Sequence, residues 1–454
     1  MTLLSDIAQL TDHLQPLELT GVVSEVRGLT VRVDDLSLPV GATVRIDTHA
    51  GSVMGEVVGF DHERIVVMLL GDTVGIRRGD RVEGLSISPL VMLGPDMLGR
   101  VVDSLGRPRD SLGPLPAVTA RPLRPPPVDP MRRVPIDQPL GTGVRCIDAL
   151  LTAGKGQRLG IFSGPGIGKS TLLGMMARQT DADVSVVALI GERGREVRDF
   201  IEHSLGPEGL KRTVVIAATS DESALLRIRA ALYASAVAEF FRDQGLDVLL
   251  VMDSITRFCQ AARQVGLAVG EPPATKGYTP SVFAALPALL ERSGRTEAGS
   301  ITAFYSILVE GDDLTEPISD ACRGILDGHI VLARDLADRG HWPAIDILQS
   351  VSRVARAVTD PPHRAARATV ARLINSYREV EDLVNIGAYS AGSNADFDLA
   401  IEMRPAVDRL LAQAPEQSSS LEQARGVLLA VAAEAERAAQ RLRRNPRSGA
   451  SAPA

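Results

Sequence analysis

Apolar runs alternate with helix-like segments through the middle of the chain. After Gly141 we expect six of these runs to be buried strands, namely Arg158 to Ser163, Val184 to Gly191, Thr213 to Thr219, Asp247 to Asp253, Ser300 to Leu308 and His329 to Ala333. The segment from Glu222 to Arg242 is rich in alanine and leucine, which favours a helix. This alternation predicts a mostly parallel sheet covered by helices on both faces. Ligands of such sheets bind beyond the carboxyl ends of the strands.

A shorter period marks the chain before this region. From Leu17 to about Ser88, brief alternating runs are separated by glycines, without a helical pattern between them. The runs are Gly21 to Val26, Leu29 to Val33, Thr43 to Ile46, Gly55 to Phe60 and Arg64 to Leu69. Such a series predicts a small β-barrel or sandwich. Ahead of it, apolar residues at helical spacing from Leu3 to Leu14 predict a short amphipathic helix.

Helical periodicity dominates the end of the chain. The pattern predicts two long helices, from Arg364 to Val384 and from Leu421 to Arg441, and a loop from Asn385 to Ser393. The final residues are rich in Pro, Ser, Gly and Ala, which predicts disorder. Between barrel and sheet, the proline-dense stretch Gly113 to Leu140 is expected to run extended over the surface, outside helices and sheet interiors.

Composition limits the class of protein. A chain of 454 residues that is 45% hydrophobic exceeds what one core usually holds, so two or three domains are expected. The net charge of −7 and the aromatic content of 3% argue against nucleic-acid binding. The three cysteines and seven histidines lack metal-ligand spacing, which predicts a reducing compartment and no structural zinc. We find no secretory signal or bilayer-length apolar segment and expect a cytoplasmic protein that reaches membranes only through partners.

The stretch from Phe162 to Thr171 carries most of the candidate chemistry. It reads Phe-Ser-Gly-Pro-Gly-Ile-Gly-Lys-Ser-Thr and lies between a predicted strand and a helix-like segment. A glycine-rich backbone can close around phosphate oxygens, and the start of a helix adds the positive end of its dipole. In the phosphate-loop pattern Lys169 reaches the β- and γ-phosphates, and the Ser170 hydroxyl coordinates Mg²⁺.

One position of the phosphate loop departs from the usual pattern, because Ser163 stands at the first glycine. Serine is small enough to follow the same turn, and a glycine-rich surface turn before a helix is the alternative interpretation. The predicted nucleotide-binding residues of the loop are Ser163, Gly164, Pro165, Gly166, Ile167, Gly168, Lys169, Ser170 and Thr171.

Two further strand ends supply carboxylates. Asp253 follows the apolar run Val248 to Met252, which suits a ligand in the hydration shell of Mg²⁺ beside a phosphate loop. Glu192 and Arg193 follow the run that ends at Gly191. ATP hydrolysis needs a group that orients or deprotonates water and a positive charge at the γ-phosphate, and these two residues could supply both. A solvated charged loop is an equally weighted alternative.

Six sequence blocks together resemble the hexameric heads of rotary ATP synthases, and most closely the flagellar and type III secretion export ATPases. The resemblance runs from about Gly21 to Ile401. The blocks are the phosphate loop, Gly191 to Glu196, Asp253 to Arg257, Glu271 to Thr275, Val309 to Asp313 and Ser352 to Val354. It implies an α/β fold with a small N-terminal β-barrel, a central RecA-like, mostly parallel sheet with the phosphate loop, and a C-terminal helical domain.

Four parts of the chain are expected from these patterns. Residues 1–92 form the barrel domain with its leading helix, and residues 93–361 form the RecA-like nucleotide-binding domain, which includes the connector 113–140. Residues 362–445 form the helical domain, and residues 446–454 form a disordered tail.

The resemblance implies a role for each matching residue. Lys169 contacts the phosphates, Ser170 binds Mg²⁺, and Asp253 holds the Mg²⁺ hydration shell. Glu192 is the general base, and Arg193 meets the γ-phosphate.

Two more residues are assigned in the same way. Arg353 resembles an arginine finger that enters the site of a neighbouring subunit, with a surface arginine as the alternative. Trp342 stands where relatives usually carry a tyrosine under the adenine, and as the only tryptophan it could instead be a core residue.

The favoured hypothesis is a Mg²⁺-dependent ATPase with ATP and Mg²⁺ as its cofactors. The resemblance implies a homohexamer that drives flagellar or type III protein export, and motifs shared by the two branches leave the choice between them open. By resemblance its partners are a stator-like adaptor, export chaperones and export-gate proteins, with no nucleic acid. Docking on such partners would bring the protein to the cytoplasmic face of the inner membrane.

Three alternatives stay open on the sequence alone. The chain could be the catalytic subunit of a proton- or sodium-translocating rotary synthase. It could be an RNA-translocating ring ATPase, although its acidic composition and aromatic-poor barrel argue against this. It could also be a non-hydrolytic nucleotide-binding ring subunit, although such subunits carry glutamine where Glu192 stands.

Overall fold

The computed structural model describes residues 19–116, 118–309, 311 and 313–444. The predicted helix from Leu3 to Leu14 and the predicted disordered tail 446–454 lie outside these residues. Within the described part of the chain, no helix has both the length and the apolar composition needed to cross a membrane.

Six strands close into a barrel at the start of the described chain, in the order β1-β2-β5-β4-β3-β6. They are β1 Thr20–Arg27, β2 Thr30–Asp34, β3 Thr43–Thr48, β4 Gly51–Asp61, β5 Arg64–Leu69 and β6 Arg81–Ser86. Alternate side chains point inward, where Val31, Ile46 and Val67 are fully buried. The predicted β-barrel is confirmed. Its closing strand, β6, was not among the five predicted runs, and it pairs with both β1 and β3.

The remaining strands build the centre of the molecule. They are β7 Leu90–Leu93, β8 Val101–Val102, β9 Thr119–Pro122, β10 Pro139–Leu140, β11 Ala153–Gly154, β12 Arg158–Ser163, β13 Val184–Glu192, β14 Thr213–Thr219, β15 Asp247–Asp253, β16 Gly294–Arg295, β17 Ser300–Leu308, β18 Gly328–Leu332 and β19 Ile345–Ser352. Nine of them form one sheet in the order β19-β18-β12-β17-β15-β13-β14-β8, with β16 paired to β17. The sheet is parallel except at β16 and β19, so the predicted mostly parallel sheet is confirmed. All six predicted strands form, with ends within one residue of those expected.

Helices cover both faces of this sheet. They are α1 Arg145–Leu150, α2 Lys169–Gln179, α3 Gly194–Asp199, α4 Gly206–Leu210, α5 Ala224–Arg242, α6 Ile255–Ala268, α7 Pro280–Leu290, α8 Pro317–Ile325, α9 Arg334–Asp338, α10 Pro361–Asn385, α11 Ala395–Leu411 and α12 Leu421–Arg444. A π-helical turn, Phe200–Leu205, joins α3 to α4. Helices α1, α2 and the C-terminal α10 to α12 share one apolar core, and α5 to α8 share another.

The proline-dense connector departs from its prediction. Thr119–Pro122 pairs with Leu90–Leu93 in a two-stranded sheet, and Pro139–Leu140 pairs with Ala153–Gly154 in another. Pro130–Arg132 adds a short 3₁₀ turn. A two-stranded ladder uses only one edge of each strand, so a proline that lacks an N–H donor is tolerated there. The connector therefore avoids sheet interiors, as expected, but it is not uniformly extended.

The C-terminal helical domain contains one element that the sequence pattern did not single out. The two predicted helices appear as α10 and α12, each a few residues longer than expected. Between them α11 runs from Ala395 to Leu411 with Pro405 inside it. Asn394 caps this helix by accepting hydrogen bonds from the amides of Asp396 and Phe397.

Candidate active site

The phosphate loop lies at the carboxyl end of β12, which is buried between β17 and β18. Strand β12 ends at Ser163 and α2 begins at Lys169. Gly166 and Gly168 have φ values of 77° and 76°, a left-handed conformation that glycine adopts without strain. The buried Ile167 side chain anchors the loop to the core, while Pro165 and Gly166 are exposed.

The first turn of α2 suits an anion. Its N-cap residue, Gly168, has no side chain to accept hydrogen bonds from the first amides of the helix. The first turn carries no acidic residue either, and the Ser170 and Thr171 side chains are exposed there. Free amides and the helix dipole together favour a bound phosphate.

Lys169 and Asp253 meet directly beside the loop. The Lys169 Nζ atom lies 2.6 Å from Asp253 Oδ1, and both side chains are largely buried. Strand β15 ends at Asp253, two strands away from β12 across β17, so the tertiary fold alone brings the ammonium and the carboxylate together. The pair supplies one positive and one negative group at the mouth of the phosphate loop.

Glu192 shares this environment. It ends β13, which pairs with β15 so that Leu189 lies opposite Asp253. The pKa of the Glu192 carboxyl is raised to about 7, mainly by burial and also by the nearby Asp253 carboxylate, while the Lys169 ammonium opposes both. A carboxyl with a pKa near neutrality is suited to accept a proton from water at physiological pH.

The two candidate arginines are not brought to this cluster within one chain. The Arg193 side chain is 83% exposed and lies 3.5 Å from Glu196. Arg353 follows β19 at the far edge of the sheet, where its side chain is exposed and donates to the Arg323 carbonyl at 3.2 Å. Strands β18, β12, β17 and β15 separate β19 from β13, which carries Glu192.

Trp342 lies against the phosphate loop. A Cβ atom added to Gly168 would come within 2.6 Å of the Trp342 ring, so only glycine fits beneath it. The Trp342 side chain is 40% exposed, and it is therefore not the core residue that the sequence left as an alternative. Its backbone carbonyl accepts a hydrogen bond from the Gln413 amide at 2.9 Å, which ties it to the helical domain.

Two residues near the site were missed by the sequence analysis. The stem of Arg257, on α6, would meet a Cβ at Gly191 at 3.0 Å, so it packs on the β13 end beside Glu192. Its Nε atom is buried without a hydrogen-bond partner among the described residues. Arg257 belongs to a block that was recognised, but only Asp253 was assigned from it. Gln413 had no sequence signal, because it joins the site from the helical domain.

The oxygen donors present suit Mg²⁺ rather than zinc. Within the described residues, no three His, Cys, Asp or Glu side chains cluster as a metal site, and the free thiols Cys146, Cys259 and Cys322 are buried. Mg²⁺ in nucleotide sites takes one or two protein oxygens and completes its shell with water and substrate phosphates. The Ser170 hydroxyl and the Asp253 carboxylate are such donors, at the start of α2 and the end of β15.

Three family models match successive parts of the chain. The β-barrel domain of the ATP synthase alpha/beta family matches residues 23–85, and the nucleotide-binding domain of that family matches residues 143–352. The C-terminal domain of the T3SS EscN ATPase matches residues 359–430.

Whole-chain relatives agree with these models. The flagellum-specific ATP synthase of Treponema pallidum is 52% identical over 407 residues, which cover 89% of this chain and 91% of the relative. The type 3 secretion system ATPase of Xanthomonas euvesicatoria is 47% identical over 413 residues, which cover 90% of this chain and 93% of the relative. The structure of the assembled ATPase EscN from the enteropathogenic E. coli type III secretion system matches with a TM-score of 0.85 and 42% identity, covering 91% of this chain and 100% of EscN.

These relatives separate the hypotheses that the sequence left open. They favour an ATPase of flagellar or type III export over a subunit of a rotary synthase, an RNA translocase or a non-hydrolytic ring subunit. The chain belongs to the family of flagellum-specific ATP synthases and type III secretion ATPases, and it is an ATPase.

Proposed function

We propose that this chain hydrolyses MgATP with Lys169, Ser170, Glu192 and Asp253 as the catalytic set of one subunit. The observation that carries the proposal is the convergence of three strand ends. Lys169 Nζ lies 2.6 Å from Asp253, and burial in the same place raises the pKa of Glu192 to about 7. Phosphoryl transfer needs a cation at the phosphates, a carboxylate near Mg²⁺ and a base for water, and these groups have those charges.

Binding begins at the phosphate loop. The amides between Gly164 and Thr171 and the Lys169 ammonium hold the triphosphate, and the α2 dipole adds to their attraction. The Ser170 hydroxyl and Asp253 would hold Mg²⁺, which supplies charge neutralisation on the β- and γ-phosphate oxygens. Trp342, which is half-exposed beside Gly168, offers its ring as the platform for adenine.

Hydrolysis then requires an oriented water molecule. The Glu192 carboxylate accepts the proton as the water oxygen bonds to the γ-phosphorus, and the bond to the β–γ bridging oxygen breaks. ADP and phosphate leave with that proton held at Glu192 until it is released to solvent. Arg257 packs its aliphatic stem against Gly191 at the same strand end.

The arginines support a site shared between subunits. Arg353 is exposed at the β19 edge and Arg193 is 83% exposed at the β13 end, so each faces away from the core of its own chain. We propose a homohexameric ring in which Arg353 of one subunit meets the γ-phosphate of the next, together with that subunit's Arg193. The relative EscN was solved as an assembled ATPase and in complex with its central stalk EscO, which supports such a ring.

The proposed ring works in protein export. The flagellar relatives are 45–52% identical to this chain, and the type III secretion relatives are 47–49% identical. Because these ranges overlap, we propose the activity that both groups share and do not assign the chain to one of them. We propose that it acts at the cytoplasmic face of the inner membrane, reached by docking on a stator-like adaptor. The ring would receive cargo from export chaperones and deliver it to export-gate proteins.

Substitution Glu192→Gln tests the catalytic assignment. It keeps the shape of the side chain and removes the base, so kcat should fall about 10³-fold while the affinity for ATP changes little. Steady-state ATPase assays and equilibrium binding of ATP on the same preparations measure the two effects. Glu208→Gln on α4, where the glutamate is exposed and pairs with Lys211, is the matched control. Unchanged turnover in Glu192→Gln would remove this residue from the mechanism.

A further inference from the structure

The connection between β18 and β19, residues 333–344, contacts the phosphate loop at two separate points. At its start, Arg334 Nη2 donates a hydrogen bond to the Pro165 carbonyl at 3.1 Å. Near its end, the Trp342 ring lies over Gly168. The connection therefore touches the loop near its beginning and at its last residue before α2.

This connection is itself held in place. Its base is closed by a hydrogen bond from the Ala333 amide to the Ala344 carbonyl at 2.9 Å. Within it, α9 ends at Asp338, and the His341 amide returns to the Leu336 carbonyl at 2.9 Å. The Gln413 amide fixes the Trp342 carbonyl from the helical domain. Arg334 thus reaches the loop from an anchored element.

The position of the Arg334 contact determines how one loop peptide is oriented. In a planar trans peptide, the carbonyl of Pro165 and the amide N–H of Gly166 point in opposite directions. A guanidinium that holds the carbonyl on one side of the loop therefore turns the Gly166 N–H to the other side. Because the donor is charged, this hydrogen bond is stronger than one between neutral groups.

The side on which Arg334 lies is distinct from the catalytic cluster. A cavity of about 460 Å³ lies beside the Arg334 contact, between the start of the loop and α9, and its walls include Ser163, Gly164, Arg334, Asp335 and Asp338. Neither Lys169 nor Asp253 lines it. Arg334 therefore acts from behind the loop, and the Gly166 N–H is directed away from this cavity.

We propose that Arg334 is a positioning residue that presents the Gly166 amide to the triphosphate and links the loop to Trp342. Arg334 does not touch the nucleotide. It fixes the peptide that does, and it makes the loop and the tryptophan ring above it parts of one unit. This inference rests on the nucleotide-binding role proposed above for the loop.

The test compares Arg334→Ala, Arg334→Lys and Arg339→Ala in the full chain. Arg339 lies on the same connection, but its guanidinium points to the helical domain, where it pairs with Glu381 of α10. Steady-state ATPase assays give KM and kcat, and thermal unfolding reports on the fold. Trp342 is the only tryptophan, so intrinsic fluorescence reports directly on the ring over the loop and on its response to ADP.

In Arg334→Ala we expect KM for ATP and Kd for ADP to rise about tenfold, with kcat lowered less. The emission of nucleotide-free Trp342 should shift to longer wavelength, because the ring and the loop are no longer held together. Arg334→Lys should recover much of the affinity, since one charged donor can still reach the carbonyl. Arg339→Ala should match the unsubstituted protein.

Two failures are distinguishable. If the unsubstituted, folded protein gives no ATPase activity and no fluorescence response to ADP, the proposed nucleotide site is wrong and this inference falls with it. If that protein responds but Arg334→Ala matches Arg339→Ala in KM and emission, only the positioning role is overturned. If Arg334→Ala does not fold, Arg334→Lys and Arg334→Gln are compared instead. Equal affinities of these two variants for ADP would overturn the proposal.

Discussion

The carboxyl edge of the central sheet presents its candidate catalytic groups in two different settings. At the β12, β13 and β15 ends, Lys169, Glu192 and Asp253 are buried or half-buried and interact with one another within a single chain. At the β19 edge, Arg353 is exposed, and its side chain donates to the backbone carbonyl of Arg323. The side chains at the ends of the interior strands are buried next to one another, whereas the side chain at the edge strand is exposed to solvent.

This difference indicates which part of the site one chain can complete. Desolvation is the largest cause of the raised Glu192 pKa, and burial among the strand ends of one chain supplies it without a neighbouring subunit. Arg353 gains no comparable environment from its own chain. The buried half should therefore determine nucleotide binding in an isolated subunit, and the exposed half should matter only where subunits meet.

The largest effect is expected at the exposed edge. Arg353→Ala should lower kcat about 10³-fold while leaving nucleotide affinity nearly unchanged, because an arginine finger acts mainly in the transition state. Mixing this variant with Glu192→Gln provides the decisive measurement. In a randomly mixed ring, about a quarter of the interfaces combine an intact Glu192 with an intact Arg353, so ATPase activity should reappear. Two inactive variants that stay inactive on mixing, despite co-assembly, would contradict a site shared between subunits.

Lys169→Ala should instead impair the buried half of the site, which binds the nucleotide. Loss of the ammonium removes a phosphate contact and leaves the buried Asp253 carboxylate without its partner. We expect kcat/KM to fall about 10²- to 10³-fold, with ATP binding weakened as well. Equilibrium nucleotide binding separates this variant from Arg353→Ala. If Lys169→Ala bound ATP as tightly as Arg353→Ala, the two halves of the site would not be divided as proposed. The surface variant Lys211→Ala serves as the control.

The pH dependence of kcat/KM should follow Glu192, because this constant reports the ionisation of the nucleotide-free enzyme. Its pKa is raised to about 7, so the carboxylate form gains population as pH rises and loses it as pH falls through that value. From pH 6 to pH 8 the deprotonated fraction increases about tenfold, so kcat/KM should rise by about the same factor. A pH–rate profile measured well below KM tests this, with thermal unfolding at each pH as the control for stability. A flat profile across that interval would mean that another group limits the reaction.

The smallest effect is expected at Trp342. Trp342→Tyr keeps an aromatic face over Gly168, so KM for ATP should change by no more than about threefold. Trp342→Ala removes the ring and should raise KM about tenfold. A comparison of KM for ATP and GTP in the three proteins measures whether the ring sets base preference. Equal KM values for all three would exclude the ring as the base platform.

Some features were accessible from sequence because they depend on local pattern. The strands β12, β14, β15 and β17 begin and end at the expected residues, since a strand buried on both faces is a continuous apolar run. The phosphate loop was equally readable, because its glycines are needed for left-handed backbone at Gly166 and Gly168.

Other features had no local signal. Strand β6 alternates polar and apolar residues weakly, and its role is visible only when it closes the barrel between β1 and β3. Val101–Val102 joins the far edge of the central sheet next to β14, although it precedes the connector in the chain. Gln413 reaches Trp342 from the helical domain. Each of these contacts joins residues that are far apart in sequence, so no short window could contain it.

The sequence by itself determined the strand and helix limits around the phosphate loop and the residue types that phosphoryl transfer needs. Only the tertiary structure decided that Glu192 and Asp253 share a buried space with Lys169, and that Arg353 does not. The physical reason is that side-chain identity and backbone preference are local properties, whereas burial, and with it the pKa of a carboxyl, depends on everything that packs around the group.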